Sequence, residues 1–216
     1  MSNSRIAGCR LYGFIDTAYI GGVDPGELAR EMVAGGVEIL QVRAKQSTHA
    51  ERVSLGLKVV SAVYPYRVPV IINDDLDAAF ECGADGVHLG QEDWAAIARD
   101  TRAERLANMR IVGISTHSVD EALTAERDGA SYIGVGPVFP TATKPEAKAV
   151  GTELVREIAA RVKVPFFAIG GITLENLGRV MEAGATRVAV VSAILKAPDV
   201  TEASAEFKKR LGGGRS

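Results

Sequence analysis

Short apolar runs recur along the chain, and most of them close on polar or glycine residues. They are LYGFID (Leu11–Asp16), VEILQVR (Val37–Arg43), VPVIIND (Val68–Asp74), DGVHLG (Asp85–Gly90), RIVGIS (Arg110–Ser115), SYIGVG (Ser131–Gly136), VPFFAIG (Val164–Gly170) and TRVAVVS (Thr186–Ser192). Each has the length and β-rich composition of a strand. The intervening segments, such as DPGELAREMVAGG and TLENLGRVMEAG, carry helical spacing. Leu177 with Val180 and Met181 is one such apolar face. A coarser repeat lies over this alternation. AGGVEI, CGADGV, DGASYI and AGATRV stand before the second, fourth, sixth and eighth runs. Each reads as a helix ending on a left-handed glycine with a strand directly after it. Gly36, Gly83, Gly129 and Gly184 recur at intervals of about 50 residues, the span of one repeated unit.

Four such βαβα quarters predict an α/β fold, a closed (β/α)8 barrel of the TIM type. The pattern predicts one domain over residues 1–216, with ends frayed at roughly 1–8 and 212–216. A doubly wound sheet would place a glycine-rich nucleotide turn after the first strand. Only TAYIGGVD follows Asp16.

In a barrel the chemistry sits at the C-terminal strand ends and in the loops that follow, and polar residues collect there. In QVRAK, alternation puts Gln41, Arg43 and Lys45 on one face and Val42 and Ala44 on the other. Two cations directed at a cavity suit an anion, and arginine grips phosphate oxygens as a fork. The alternative is a solvated strand end. The same alternation turns His88, with Gly86 and Gly90, inward on the fourth strand. It turns Gly134 and Gly136 inward on the sixth, and Ala168 and Gly170 on the seventh. Small residues there leave room for a ligand, and His88 itself reads as a hydrogen-bonded core histidine.

Asp74 and Asp93 fall on neighbouring loops. Two carboxylates so placed suit Mg2+, which takes one or two protein carboxylates together with substrate phosphates. The alternative is a pair of helix N-caps, the reading that Asp75 or Asp93 alone invites. AIGGIT and VVSAI bring Gly170, Gly171 and Ser192 to the loops that form a phosphate cradle in many barrels. A cationic, metal-binding side and a phosphate cradle together predict two phosphorylated substrates and a joining reaction. One connection stands apart: GPVFPTATKPEAKAVG, Gly136–Gly151, is far longer than the usual loop of about 2–6 residues.

Composition narrows the function classes. Of 216 residues 47% are apolar, enough for a sizeable core, and the net charge is −2 with both signs interspersed. That charge distribution excludes a basic footprint for nucleic acid or a membrane patch. No apolar run approaches the roughly 20 residues of a membrane span, and the N-terminus lacks the core of a signal peptide. Cys9 and Cys82 are isolated, which fits a reducing, cytoplasmic setting with both thiols structural. The sequence leaves self-association open.

QVRAK, INDD, GADGVHLGQED, VGISTHS, YIGVGPVFPTATKP, AIGGIT and VAVVSAI, in that order, resemble the thiamine phosphate synthase family from Leu11 to Ile194. VGPVFPTATKP and GVHLGQED are its most specific parts. The resemblance implies coupling of hydroxymethylpyrimidine diphosphate with thiazole phosphate, or its carboxylated form. The products are thiamine phosphate and pyrophosphate. It implies that Gln41, Arg43, Lys45 and Asn73 bind the pyrimidine diphosphate, Ser115 the pyrimidine substrate and Lys144 the diphosphate. It implies Thr141, Thr143, Gly171, Val191 and Ser192 for the thiazole phosphate, and Asp74 and Asp93 for Mg2+. It also implies a dissociative substitution, in which the catalytic set is Lys144, Arg43, Lys45 and Ser115. The long loop then closes over the reacting centre and brings Lys144 to the pyrophosphate.

The chain departs from the family pattern twice, at Ala44 where a glutamate is frequent and at Asp75 where an arginine is usual. Two rival readings fit the same barrel. One is a related thiazole tautomerase with His117 as its acid–base residue, and the other is a barrel that only senses phosphorylated thiamine precursors. The intact TATK loop and the carboxylate pair favour the synthase.

Overall fold

The protein is described as a computed structural model at residues 4–97, 106, 109–143 and 146–212. Eight parallel strands close in sequence order into a barrel. They are β1 Leu11–Asp16, β2 Ile39–Arg43, β3 Val70–Asn73, β4 Gly86–Leu89, β5 Ile111–Thr116, β6 Tyr132–Val135, β7 Phe166–Ile169 and β8 Val188–Val190. The described helices are α1 Ser4–Ala7, α2 Pro25–Ala34, α3 His49–Val63, α4 Leu76–Glu81, α5 Gln91–Ala96, α6 Val119–Arg127, α7 Gly151–Arg161, α8 Leu177–Glu182, α9 Ser192–Leu195 and α10 Val200–Gly212. Every run read as a strand contains one, and the expected (β/α)8 barrel is the fold.

Local signals start and stop the helices. Asp24 caps α2 by accepting from the Gly26 and Glu27 amides, and Thr48 with Glu51 forms a reciprocal capping box on α3. The four repeat glycines end their helices in the left-handed region, with φ of 97° at Gly36, 67° at Gly83, 90° at Gly129 and 101° at Gly184.

Alternation along the strands divides the apolar side chains into two layers. Leu11, Ile15, Leu40, Val42, Ile72 and Val87 face the helices. Tyr12, Phe14, Ile39, Ile71, Tyr132 and Phe167 fill the barrel interior. Tyr12 packs against Phe14, Tyr132 and Phe167 at centroid distances of 5.1, 5.8 and 5.2 Å. Such ring pairs add about 0.5–1.5 kcal/mol each beyond their burial. Gly113 makes this packing possible, because a Cβ there would come within 2.1 Å of the Tyr132 ring and 2.5 Å of His88.

Two expectations are corrected. Ala168 faces the helices, while Phe167 and Ile169 belong to the interior layer. In β6 and β7, Gly134 pairs with Phe167 and Val135 with Ala168, and paired neighbours share a face, so inward Gly134 fixes the parity. The first residues also do not all fray. Ser4–Ala7 forms a helical turn, and Ile6 is fully buried against the interior cluster below β1. An open barrel end would leave that cluster wet, and Ile6 covers it. At the other terminus α10 continues to Gly212, and residues 213–216 lie outside the described set. α10 packs closely on α2, where a Cβ at Gly35 would come within 2.4 Å of the Thr201 carbonyl. Both cysteines are buried and unpaired with each other. Burial, with Glu38 adding to it, pushes the Cys9 thiol up to about 11, far from a reactive thiolate.

Candidate active site

At the C-terminal end of the barrel one cavity gathers most of the polar residues read from the sequence. Strands β2, β3 and β5 bring Gln41, Arg43, Asn73 and Ser115 to it. The connections after β6, β7 and β8 bring Thr141, Thr143, Gly171, Val191 and Ser192. Gly134, Gly136 and Gly170 line it as well, so small residues do open the upper layer.

Arg43 is anchored. Its Nη1 donates to Asp16 Oδ2 at 2.6 Å, with the two side chains 10% and 1% exposed. The second Asp16 oxygen accepts from the Ala18 amide at 3.0 Å. Lys45 goes elsewhere: β2 ends at Arg43, a turn begins, and Lys45 is exposed and outside the cavity lining. Alternation stops being a guide where the strand stops.

Asp74 and Asp93 meet at the exposed rim. The Asp93 carboxyl is raised above its ordinary value by burial first, then by the charge of Asp74 and a hydrogen bond between the two. Asn73 Nδ2 donates to Asp74 Oδ2 at 2.5 Å, and Asp74 takes a φ of 61°. Asp74 is not a cap; Asp75 caps α4 by accepting from the Ala78 amide at 2.9 Å. Asp75 also accepts from Arg52 Nε at 2.8 Å and meets His49 Nδ1 at 3.1 Å. Burial raises its carboxyl, but the Ala78 amide, His49 and Arg52 more than offset this and the net shift is downward. The extra anion is therefore engaged by α3 and α4. Among the described residues no group of three or more His, Cys, Asp or Glu is placed to hold a metal. The Asp74–Asp93 pair nonetheless suits a hard divalent cation that shares its shell with phosphate, since two carboxylates suffice there.

Beneath the cavity runs a chain of hydrogen bonds. Gln41 Nε2 donates to Tyr12 OH at 2.7 Å, and the hydroxyls of Tyr12 and Tyr132 are 2.8 Å apart. Tyr132 OH lies 3.0 Å from His88 Nδ1, and His88 Nε2 lies 2.9 Å from Ser115 Oγ. His88 is indeed a buried, hydrogen-bonded histidine. Burial raises the phenols of Tyr12 and Tyr132, so both stay protonated.

The long loop is stitched to the barrel at its base. Val138 and Phe139 donate to the carbonyls of Ile169 and Gly170 at 2.8 and 3.0 Å, and Val150 donates to Pro137 O at 2.8 Å. Gly171, at φ 62°, leaves no room for a side chain, since a Cβ would stand 2.5 Å from Pro140 O. Farther out, Tyr19 OH meets Thr143 Oγ1 at 2.9 Å, and Lys196 Nζ sits 5.1 Å from the Tyr19 ring centre. Lys144 lies outside the described residues. His117 lines the cavity and gives its Nδ1 proton to the Gly136 carbonyl.

The family profile described as thiamine monophosphate synthase matches residues 11–194. The chain belongs to the thiamine monophosphate synthase family. It is accordingly an enzyme, a transferase of thiamine biosynthesis. A thiamine-phosphate synthase of Methanospirillum hungatei is 42% identical over 200 residues, covering 92% of this chain and 96% of that one. Another, from Chloroflexus aurantiacus, is 40% identical over 210 residues, covering 96% and 95%. The solved thiamine phosphate pyrophosphorylase of Pyrococcus furiosus superposes with a TM-score of 0.84 at 34% identity, covering 97% of each chain. These relatives carry the synthase name rather than that of the tautomerase or a sensor. Within the family frame, the residues that sequence reasoning left without a role are Asp16, Tyr12, Tyr132 and Tyr19. Extending the alternation to β1 would have put Tyr12, Phe14 and Asp16 on the face that meets Gln41 and Arg43, since Phe14 pairs with Gln41 and Asp16 with Arg43.

Proposed function

We propose that the chain couples hydroxymethylpyrimidine diphosphate with thiazole phosphate to give thiamine phosphate and pyrophosphate, or couples it with the carboxylated form to give the same products with release of carbon dioxide. The observation that carries this reading is the single cavity that receives Gln41, Arg43, Asn73 and Ser115 together with Thr141, Thr143, Gly171, Val191 and Ser192. One set suits a pyrimidine diphosphate and the other a second phosphate, with the substrates held side by side.

The reaction is a dissociative substitution. Pyrophosphate departs, and the pyrimidine methylene cation is trapped by the thiazole nitrogen. Arg43, fixed by Asp16, offers its remaining guanidinium donors to the diphosphate without side-chain reorganisation. Lys144 on the loop adds charge to the leaving group, and Lys45, exposed in the turn after β2, would do so only on reaching back over the bound diphosphate. Ser115 orients the pyrimidine ring. Asp74 and Asp93 would hold Mg2+, which neutralises charge on the diphosphate when bound. No protein nucleophile and no strong general base is required, because the leaving pyrophosphate and the thiazole nitrogen carry the reactivity themselves.

The setting is the cytoplasm. In support, no helix among the described residues is long and apolar enough to cross a membrane. Incubation with both substrates and Mg2+ tests the whole reading. Thiamine phosphate and pyrophosphate should appear in equal amounts, and absence of coupled product with both substrates bound would end it.

A further inference from the structure

We infer that Tyr12, Tyr132 and His88 act as a polarised relay that fixes Ser115 as a hydrogen-bond donor to the pyrimidine and Gln41 as the complementary acceptor. This deepens the function proposed above and rests on it for the identity of the ligand. The relay itself is a property of the free protein.

The direction follows from counting protons along the chain. Gln41 Nε2 can only donate, so Tyr12 oxygen accepts at 2.7 Å, and among the described hydrogen bonds the acceptor within reach of the Tyr12 proton is Tyr132 oxygen, 2.8 Å away. Tyr132 then spends its own proton on His88 Nδ1, 3.0 Å away. A histidine accepting at Nδ1 carries its proton on Nε2, which donates to Ser115 Oγ at 2.9 Å. The Ser115 hydroxyl proton is left for a ligand, and Gln41 retains its carbonyl oxygen as an acceptor. Reversing one link reverses all of them, because each hydroxyl has one proton. A ring that offers a donor and an acceptor in matching order is therefore accepted, and one with the order exchanged meets donor against donor. Gln41, Tyr12 and His88 are 2%, 1% and 8% exposed and Tyr132 is fully buried, so water has little access to relax the order. The small residues Gly113 and Gly134 leave the space that holds the Tyr132 and His88 rings together.

Nitrogen-15 NMR of the imidazoles tests the relay in the whole, ligand-free protein. There are 3 histidines, so the His88 signals are those lost in His88→Gln. In the parent, His88 should be neutral with Nε2 protonated and Nδ1 bare. Tyr132→Phe, which keeps the ring and removes the hydroxyl, should populate the other tautomer. It should raise KM for the pyrimidine diphosphate about fivefold to tenfold, the worth of one lost hydrogen bond. KM for the thiazole phosphate should stay constant, which a general packing defect would not allow. Should Tyr132→Phe fail to fold, Tyr12→Phe removes the donor that orients the Tyr132 hydroxyl, so both orientations of that hydroxyl and both His88 tautomers become available, with a smaller rise in KM. Protonation of His88 at Nδ1 in the parent, or an unchanged tautomer and KM in both tyrosine variants, would overturn the relay. Lack of coupling activity in the parent would instead strike the proposed function and leave the tautomer reading standing.

Discussion

Asp16→Asn isolates the pair that positions Arg43. Asp16 uses both oxygens as acceptors, one for Arg43 Nη1 at 2.6 Å and one for the Ala18 amide at 3.0 Å. An amide has one acceptor oxygen, so in either orientation its NH2 faces a donor. The guanidinium also loses its counter-charge while 10% exposed, so solvent does not replace it. Breaking a buried pair by removing one partner costs about 3–5 kcal/mol, and the lower end suits a site beside a mouth. For a chain of this size 1 kcal/mol moves Tm by about 2–4 °C, so a fall of about 6–12 °C is expected. Thermal unfolding with and without pyrophosphate provides the assay. An anion that binds the folded state raises Tm, and it should raise the variant by more than the parent because Arg43 is then unpaired. A Tm within about 2 °C of the parent, or equal pyrophosphate shifts in both proteins, would refute the argument that Asp16 holds a buried charge at the diphosphate site.

Asp93→Asn should cut turnover and Mg2+ response sharply while leaving the fold intact, as steady-state kinetics against Mg2+ would record. Its raised carboxyl also fixes a sign. A carboxyl raised on folding contributes stability below its ordinary value and loses it as pH rises. In chelator, Asp93→Asn should therefore melt above the parent at pH 7, with the gain fading toward pH 3.8, the ordinary value for the group. Lys144→Ala should lower kcat by about 10²–10³ with little change in KM, because charge builds on the leaving oxygen only in the transition state. Lys144→Arg should recover part of that loss. Tyr19→Phe removes the hydroxyl that meets Thr143, and it should raise KM for the thiazole phosphate about fivefold with kcat nearly constant.

The sequence by itself determined the strands, their order and the closed barrel. These follow from local rules: the alternation of LYGFID or VEILQVR, caps such as Asp24, and glycines where the chain must turn left-handed. It also determined which loops carry polar chemistry, because barrel strand ends fall at predictable places. The family motifs, matched residue by residue, named Thr141, Thr143, Gly171, Val191 and Ser192, and the fold brings these into one cavity. Tertiary structure decided what depends on parity, on strand length and on distant partners. β7 turned Phe167 inward and Ala168 outward, because parity is set by its neighbour β6 rather than by its own composition. β2 stopped at Arg43, so Lys45 left the face that alternation assigned to it. Asp75 and Asp74 stand side by side, yet one caps a helix and the other meets Asp93. Only the packing of α3 and α5 around them distinguishes the two. Tyr12 and Tyr132 lie 120 residues apart and share a hydrogen bond only because the barrel closes. A proton's direction along that bond is invisible to any local pattern, since it is set by partners from β1, β2, β4, β5 and β6 at once.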